Sequence, residues 1–571
     1  MFLRIVPIRR PSGRVDRYVR LVESYYERGK VKQRTVANLG RKELLAPHLD
    51  KLVELLGEPR KEEASSCKME SAAVWGPTLV VKTLWEELGL PELLTEEGKG
   101  RKGLSLSQRA LALVANRLIS PRSEHALAEW LETDYVPDEQ GERIRPVWKQ
   151  NGRVRVDHRF LWPWYRTLDE LIRRKERIEE GLFGRLRDLF SLKPEMVFYD
   201  LTSSYFEGEG PRELAQYGYS RDHREGNRQM LLGVVMANGW PIAHHVFRGN
   251  LHDSETVEPI VTDLEKRFGL RRIVFVGDRG MVSTASLGFL WSQGHGFLVG
   301  LRRRRNPEVL EYIRKAQSGP WQPCSSESKD RVCEVEGSLP GQRIFVVESA
   351  ERLAYEQAMR ERDVAKTREE LGKLAKRVQK GELRNREEIG AAVARILSLH
   401  RGQRYFRWSL RAGKLQVSEE PVETEKLLEG KYLILTEEKD LSPPEAVRAY
   451  KELSEVERAF RKLKDVLELR PIYHQEPRRV QAHVFVAALA FLLDRLLEKK
   501  LKAAQLPFSS EQAWVALRTL HVVDVDIGGM RRRGVTTGSQ QARRILSALR
   551  LGSLEPWNPQ KSAQNGDIVT H

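Results

Sequence analysis

The chain has 571 residues, room for three or four domains at roughly 150 residues each, which excludes a single small module. Apolar residues make up 40% of it, enough to bury a sizeable core. Its 97 Lys and Arg outnumber 80 Asp and Glu, leaving a net charge of +17; that excess calls for an anionic partner, nucleic acid first and an anionic membrane surface second.

Residues 1–7 are apolar apart from Arg4, and Arg9, Arg10 and Arg14 follow before a secretory core can form, so a cytoplasmic protein is expected. Two β-rich runs at 18–26 and 31–39, with Arg28-Gly29 between them, predict a hairpin with basic faces. Residues 41–68 read as charged linker with some helix. Pro77 and Gly89 then bracket a helix, and helical patterns dominate as far as Leu192. Those at 107–118 and 124–131, parted by Ile119-Ser120-Pro121, fit ordinary helical packing better than a helix-turn-helix.

The pattern changes at Pro194. Short apolar runs at 196–201, 230–236 and 242–247 predict three strands, the last two joined at Asn238-Gly239, a strong hairpin signal. A helix at 255–268 closed by Gly269, a strand at 272–276, a helix near 284–293 and a strand at 296–301 follow, which is an α/β layer order. Residues 302–439 are mixed, with a charged helix at 354–379 and strands at 343–347, 405–418 and 432–436; they read as an insertion. Ser442 and Pro443 open a last helical block. Within it, 480–493 is nearly uncharged but shorter than the roughly 20 residues a bilayer needs, and it carries His483, so it reads as a buried core helix. Residues from Asn558 onward look disordered.

No Walker loop, Rossmann glycine fingerprint or HExxH string occurs, which removes the simplest support for nucleotide hydrolysis and zinc-protease chemistry. Cys67, Cys324 and Cys333 form no CxxC pair and support neither a zinc site nor a disulfide framework. His223, His244, His245 and His252 match no zinc spacing, and packing or hydrogen bonding suits them better.

Two acids interrupt apolar strand runs: Asp200 in Met-Val-Phe-Tyr-Asp-Leu, and Asp278 at the end of Ile-Val-Phe-Val-Gly-Asp. A carboxylate there is costly unless paired or metal-bound. Either Asp alone reads equally well as a strand-end residue capping a turn; the matched contexts argue against that for the pair. On neighbouring strands the two could hold a hard divalent cation, Mg²⁺ first. The third element is an amphipathic helix in which Ala449, Leu453, Val456, Phe460 and Leu463 recur at three and four. On it Tyr450, Glu457 and Lys464 recur every seven residues and so share one face. A capping box from Ser454 to Glu457, with Lys464 merely solvated, competes with that reading.

Taken in order, Asp200, Asp278 and Glu457 resemble the acidic triad of the DDE transposases of bacterial insertion sequences, in particular the insertion-sequence-four group with its Y-x2-R-x3-E-x6-K signature. Tyr450, Glu457 and Lys464 match that signature, whereas its arginine position is Leu453. Similar strings are Tyr199-Asp200-Leu-Thr-Ser, Gly218-Tyr-Ser-Arg-Asp-His-Arg, Arg248-Gly-Asn-Leu-His, Gly277-Asp-Arg-Gly-Met and Leu469-Arg-Pro-Ile-Tyr-His, and Arg34-Thr-Val-Ala-Asn-Leu-Gly also resembles one branch of the group.

The resemblance implies an α/β fold: an RNase H-like mixed-sheet core with a large insertion, preceded by a basic β-hairpin and a mainly helical region. The expected division is 1–68 hairpin and linker, DNA-binding; 69–192 helical, DNA-binding; 193–301 first part of the core; 302–440 insertion; 441–500 second part of the core; 501–571 C-terminal region. The family's insertion is largely β, whereas this one contains a long charged helix. Implied too are catalysis and metal binding by Asp200, Asp278 and Glu457 with two Mg²⁺ ions, Mn²⁺ substituting. Double-stranded DNA, as transposon ends and target, is the implied partner, with a homodimer on the ends and no membrane. Lys464 and Tyr450 would meet phosphate. Arg302, Arg303, Arg304 and Arg305, and Arg531, Arg532 and Arg533, are basic runs for the DNA backbone or plain solvated surface. Two alternatives stand beside this reading: a catalytically silent DNA-binding derivative, and another RNase H-like nuclease such as a junction resolvase.

Overall fold

The computed structural model describes residues 2–9, 15–27, 30–41, 67–95, 103–145, 149–150, 153–154, 158–192, 195–281, 283–301, 307–326, 328–411, 414–419, 423–527, 530–551 and 553–556. The Arg28-Gly29 turn, most of the 41–68 linker, Arg302 to Arg305 and the tail from Asn558 lie outside them.

β1 (Phe2–Arg9), β2 (Val15–Glu27) and β3 (Lys30–Arg41) form an antiparallel sheet in that order. The expected hairpin is β2 and β3, and the apolar start of the chain adds β1 to it. β4 (Cys67–Val74) begins at the end of the expected linker and runs into the region expected to be helical; its partner, a strand near residue 524, is too distant in sequence to be seen. Helices α1 (Gly76–Glu87), α2 (Leu90–Leu93), α3 (Leu106–Ile119) and α4 (Leu127–Thr133) follow. In α3, Ser105 and Gln108 close a capping box, and residues 110–118 are all buried, so α3 is a core helix. Two short strands, β5 (Lys149–Gln150) and β6 (Arg153–Val154), lead to α5 (His158–Arg173) and α6 (Lys175–Phe190).

Next come β7 (Met196–Tyr205), β8 (Gln229–Ala237) and β9 (Trp240–Arg248). β8 and β9 are antiparallel, and their turn has φ of +51° at Asn238 and +73° at Gly239, the two positive angles that a tight hairpin of this hand requires. α7 (Val257–Phe268), β10 (Val274–Gly277), α8 (Thr284–Ser292) and β11 (Gly296–Gly300) fall within a residue or two of their predicted spans. α9 (Pro307–Gln317), β12 (Gln322–Pro323), β13 (Arg331–Glu336) and β14 (Arg343–Glu348) follow. Then come α10 (Ala350–Gln379), α11 (Arg386–Leu399), β15 (Phe406–Arg411), β16 (Lys414–Glu419), α12 (Glu423–Leu428) and β17 (Lys431–Thr436). α13 (Pro443–Arg461) runs into a π-turn at Lys462–Val466. α14 (Pro477–Ala503), α15 (Ser510–Leu517), β18 (His521–Ile527), β19 (Met530–Val535) and α16 (Gln540–Ala548) complete the chain.

The chain divides into two compact units, residues 1–193, 201–251 and 457–571 in one, and 194–200 and 252–456 in the other. Both β7 and α13 contribute residues to each. In the second unit the strands run in the order β12-β13-β14-β17-β11-β10-β7. β10 is parallel to β7 and to β11, and β17 is antiparallel to β11 and to β14. Thus β14 and β17, read from the sequence as insertion, extend the sheet that carries β10; periodicity marks a strand without naming its partner. What lies between them has its own core, Val364, Leu371, Leu374, Val393 and Phe406 among its members.

In the first unit α14 packs against α1, α3, α5 and β9. By length and composition it could span a bilayer, its most apolar 18 residues having a mean hydropathy of 1.6, but 89% of that stretch is buried inside the protein. It is a core helix, longer than the apolar run suggested. β4, β18 and β19 form a separate antiparallel sheet, with β18 in the middle.

Candidate active site

In the second unit, β7 and β10 pair in parallel, Met196 opposite Val274 through Tyr199 opposite Gly277. Asp200 and Asp278 are the next residue of each strand, so the ladder delivers two carboxylates at one level on adjacent strands. Both are half-buried. Asp278 Oδ1 accepts the Gly280 N–H at 2.5 Å, and the Asp278 carbonyl accepts the Met281 N–H at 3.1 Å. The chain therefore turns back around this carboxylate as soon as the strand ends.

A third acid stands beside them that sequence reasoning missed. A Cβ at Gly280 would lie 3.0 Å from Asp253 Oδ2 and 3.7 Å from Asp278 Oδ1, so both carboxylates face the same point of backbone, and a larger residue there would press on Asp253. The Tyr199 hydroxyl donates to Thr256 Oγ1 at 3.0 Å, and the Thr256 hydroxyl donates to the Asp253 carbonyl at 2.6 Å. That chain of bonds fixes the segment carrying Asp253 to the strand carrying Asp200. The signal was the string ending at His252, one residue short. Tyr450, also in this unit, stacks on Tyr432 with ring centroids 5.9 Å apart, and Leu453, at the signature's arginine position, is buried.

Glu457 belongs to the other unit, on α13, with its side chain exposed. The helical register ends soon after, because residues 462–466 wind as a π-turn, and this turn carries Lys464 inward. Lys464 is 9% exposed, its Nζ donating to Asp222 Oδ1 at 2.9 Å. Burial draws its ammonium below the usual lysine range, against the pull of Asp222. Arg470 also binds Asp222. The basic residues of β19 are engaged as well: Arg531 with Glu70 at 3.3 Å, Arg533 with Asp524 at 2.8 Å and with Glu142 at 2.9 Å. Arg532 lies between them, opposite Val525.

Residues 192–493 match the family model described as transposase DDE domain, and residues 3–67 match the IS1634 family transposase N-terminal domain. The first match spans more than half of the chain. The protein is a DDE transposase. No curated protein matches the sequence. Among solved structures, it is similar to a piggyBac transposase synaptic complex with hairpin DNA, at 11% identity and a TM-score of 0.36, over 86% of this chain and 84% of that one. As a member of this family the transposase has an RNase H-like α/β core, cleaves DNA and uses a divalent metal ion.

Its acidic pair suits such an ion, since hard cations take oxygen ligands. A second group, in the first unit, brings together Glu124, His474 and His483, with one ligand atom from each all within 4.8 Å of one another. It suits a metal poorly. Arg117 Nη2 sits 3.3 Å from His483 Nδ1, and His483 Nε2 sits 3.2 Å from the Leu469 carbonyl, so both ring nitrogens are occupied and a buried cation is already present. Arg117 also donates to the carbonyls of Leu467 and Glu468, at 3.3 and 3.1 Å, tying α3 to the segment after the π-turn. Burial opposes ionisation of Glu124, but the hydrogen bond and charge of His474, with Arg117, outweigh it and hold the carboxyl below the usual carboxylate range. Of the four histidines near Asp200 in sequence, His244 is buried, 2.9 Å from Glu179 and stacked on Phe485, a packing and pairing role; His223 is exposed.

Proposed function

We propose that this transposase acts on the terminal inverted repeats of its own insertion sequence, with Asp200, Asp278 and Glu457 as ligands of two Mg²⁺ ions. The observation that carries this reading is the matched end of the β7 and β10 ladder, where two carboxylates leave adjacent strands at the same level. Glu457, exposed on its helix, offers the third. Mn²⁺ shares this preference for oxygen donors and replaces Mg²⁺. Ions held there supply activation of the attacking oxygen and neutralisation of the leaving one.

The protein's own part is to keep the carboxylates fixed. The Gly280 N–H holds one oxygen of Asp278, and the Tyr199 to Thr256 bond steadies the strand end before Asp200. Cleavage by water at the element end and attack by the freed 3′-OH on a second strand use the same pocket, with no covalent protein intermediate. Holding two ends at once calls for a homodimer on DNA, working in the cytoplasm. Lys464, held by Asp222, supports this region from within; Tyr450 and the arginine runs at 302–305 and 531–533 supply phosphate contacts.

Asp200→Ala, Asp278→Ala and Glu457→Ala should each lower Mg²⁺-dependent nicking of a terminal-repeat duplex by at least ~10³-fold, with duplex affinity nearly unchanged. A variant that still cuts at the parent rate removes its residue from the site.

A further inference from the structure

The segment 217–228, in the first unit, is a closed loop. Gln216 and Gln229 exchange backbone hydrogen bonds of 3.1 and 2.7 Å, which hold its ends together as in an Ω-loop. Its interior is polar and tied by several side-chain hydrogen bonds. Gln229 Nε2 donates to the carbonyls of Arg224 and Asn227 at 3.0 and 2.9 Å. Ser220 Oγ accepts the Arg224 N–H at 2.9 Å, and Ser203 Oγ accepts the Arg221 N–H at 2.8 Å. The Asp222 carboxylate, 7% exposed, is bound from within by Lys464 and Arg470. Gly218 lies backbone against backbone, since a Cβ there would come within 1.9 Å of the Gly249 carbonyl oxygen.

What this frame turns outward is aromatic. Tyr217 and Tyr219 are 64% and 75% exposed. Arg228 lies over the Tyr217 ring at 5.7 Å, Arg221 over the Tyr219 ring at 5.8 Å, and Arg224 over the Tyr205 ring at 5.8 Å. Folding normally buries rings and exposes carboxylates; here a carboxylate is inside and two rings are outside, on a backbone bonded too closely to fold over them. Flat faces interleaved with guanidinium groups fit bases and phosphates together. A duplex keeps its base faces stacked, so the matching ligand is an unpaired strand.

We infer that segment 217–228 grips unpaired nucleotides of the DNA substrate, with bases stacked on Tyr217 and Tyr219 and phosphates met by Arg221, Arg224 and Arg228. Ser203 anchors the loop from β7, the strand that also carries Asp200, which ties the grip to one of the proposed catalytic elements. The inference rests on DNA as substrate and not on the metal ligands.

The test uses full-length protein in metal-free buffer with EDTA, so that the identity of the catalytic acids does not enter. Two probes are compared: a terminal-repeat duplex with a short single-stranded tail carrying 2-aminopurine, and the same duplex without a tail. The parent should bind the tailed probe more tightly and quench its fluorescence. Tyr217→Ala with Tyr219→Ala should weaken tailed binding by roughly tenfold for each ring removed and abolish quenching, while blunt binding changes by less than about twofold. Tyr217→Phe with Tyr219→Phe should behave as the parent, because the ring and not the hydroxyl carries the contact. Equal affinity of the parent for both probes, unchanged tailed binding in the alanine pair, or the same loss in the phenylalanine pair would overturn the inference and leave the metal reading intact.

Discussion

At the residue scale, two histidines that fold uncharged make the core acid-sensitive. Burial, then the Lys175 charge, lowers His244 to about 4; burial, then Arg117, lowers His483 to about 3. Both folded values lie below the ordinary one near 6.5, so the unfolded chain takes up protons first as pH falls. The stability is fully present above pH 6.5 and is lost on descending towards about 4 for His244 and about 3 for His483. At pH 5 His244 should cost roughly 2 kcal/mol, with His483 adding in the same direction. Urea midpoints at pH 7.5 and pH 5 should therefore differ clearly in the parent, and by markedly less in His244→Gln; an identical drop in both would remove His244 as a cause. None of this was legible in the sequence, which offered His244 as one histidine among four. Glu124, His474 and His483 are likewise too scattered for any spacing rule. Asp200 and Asp278 were legible because a carboxylate inside an apolar run is a local contradiction, visible without a partner.

At the scale of elements, the π-turn decides what becomes of the signature helix. It is pinned on both sides, by Lys464 to Asp222 and by Lys462 to Asp494 of α14. Asp494 is fully buried, and its oxygens also accept from Trp514 Nε1 at 2.9 Å and Ser510 Oγ at 3.2 Å. Asp494→Ala would leave the Lys462 ammonium mostly buried with a weaker partner, and should cost about 3 kcal/mol in a urea titration; an unmoved midpoint would show that Glu511, 2.7 Å from Lys462, carries the charge alone. Strands, caps and the Asn238-Gly239 turn could be read beforehand because each has a local chemical signal. The sheet membership of β14 and β17, the pairing of β4 with β18 and the π-turn could not, since they depend on partners remote in sequence or on a winding change that a seven-residue spacing conceals.

At the scale of the whole molecule, the net charge of +17 remains the broadest statement about DNA. If about eight phosphates are neutralised, log K for duplex should fall with log salt at a slope near −7; a flat response between 50 and 200 mM salt would mean that the excess charge lies away from the DNA. The α/β order was legible at this scale, whereas the division into two units, each sharing β7 and α13, was not. Helix α14 raises one further matter, of timing. The helices α3 and α5 that it packs against leave the ribosome roughly 300 to 370 residues earlier, a wait of about 15–75 s at ordinary translation speeds. Throughout that interval the nascent chain carries uncovered greasy surface, which makes it a client for chaperones. A premature stop before residue 477 would release an incomplete polypeptide destined for aggregation or proteolysis, so such a gene is poorly suited to producing shortened inhibitors of itself.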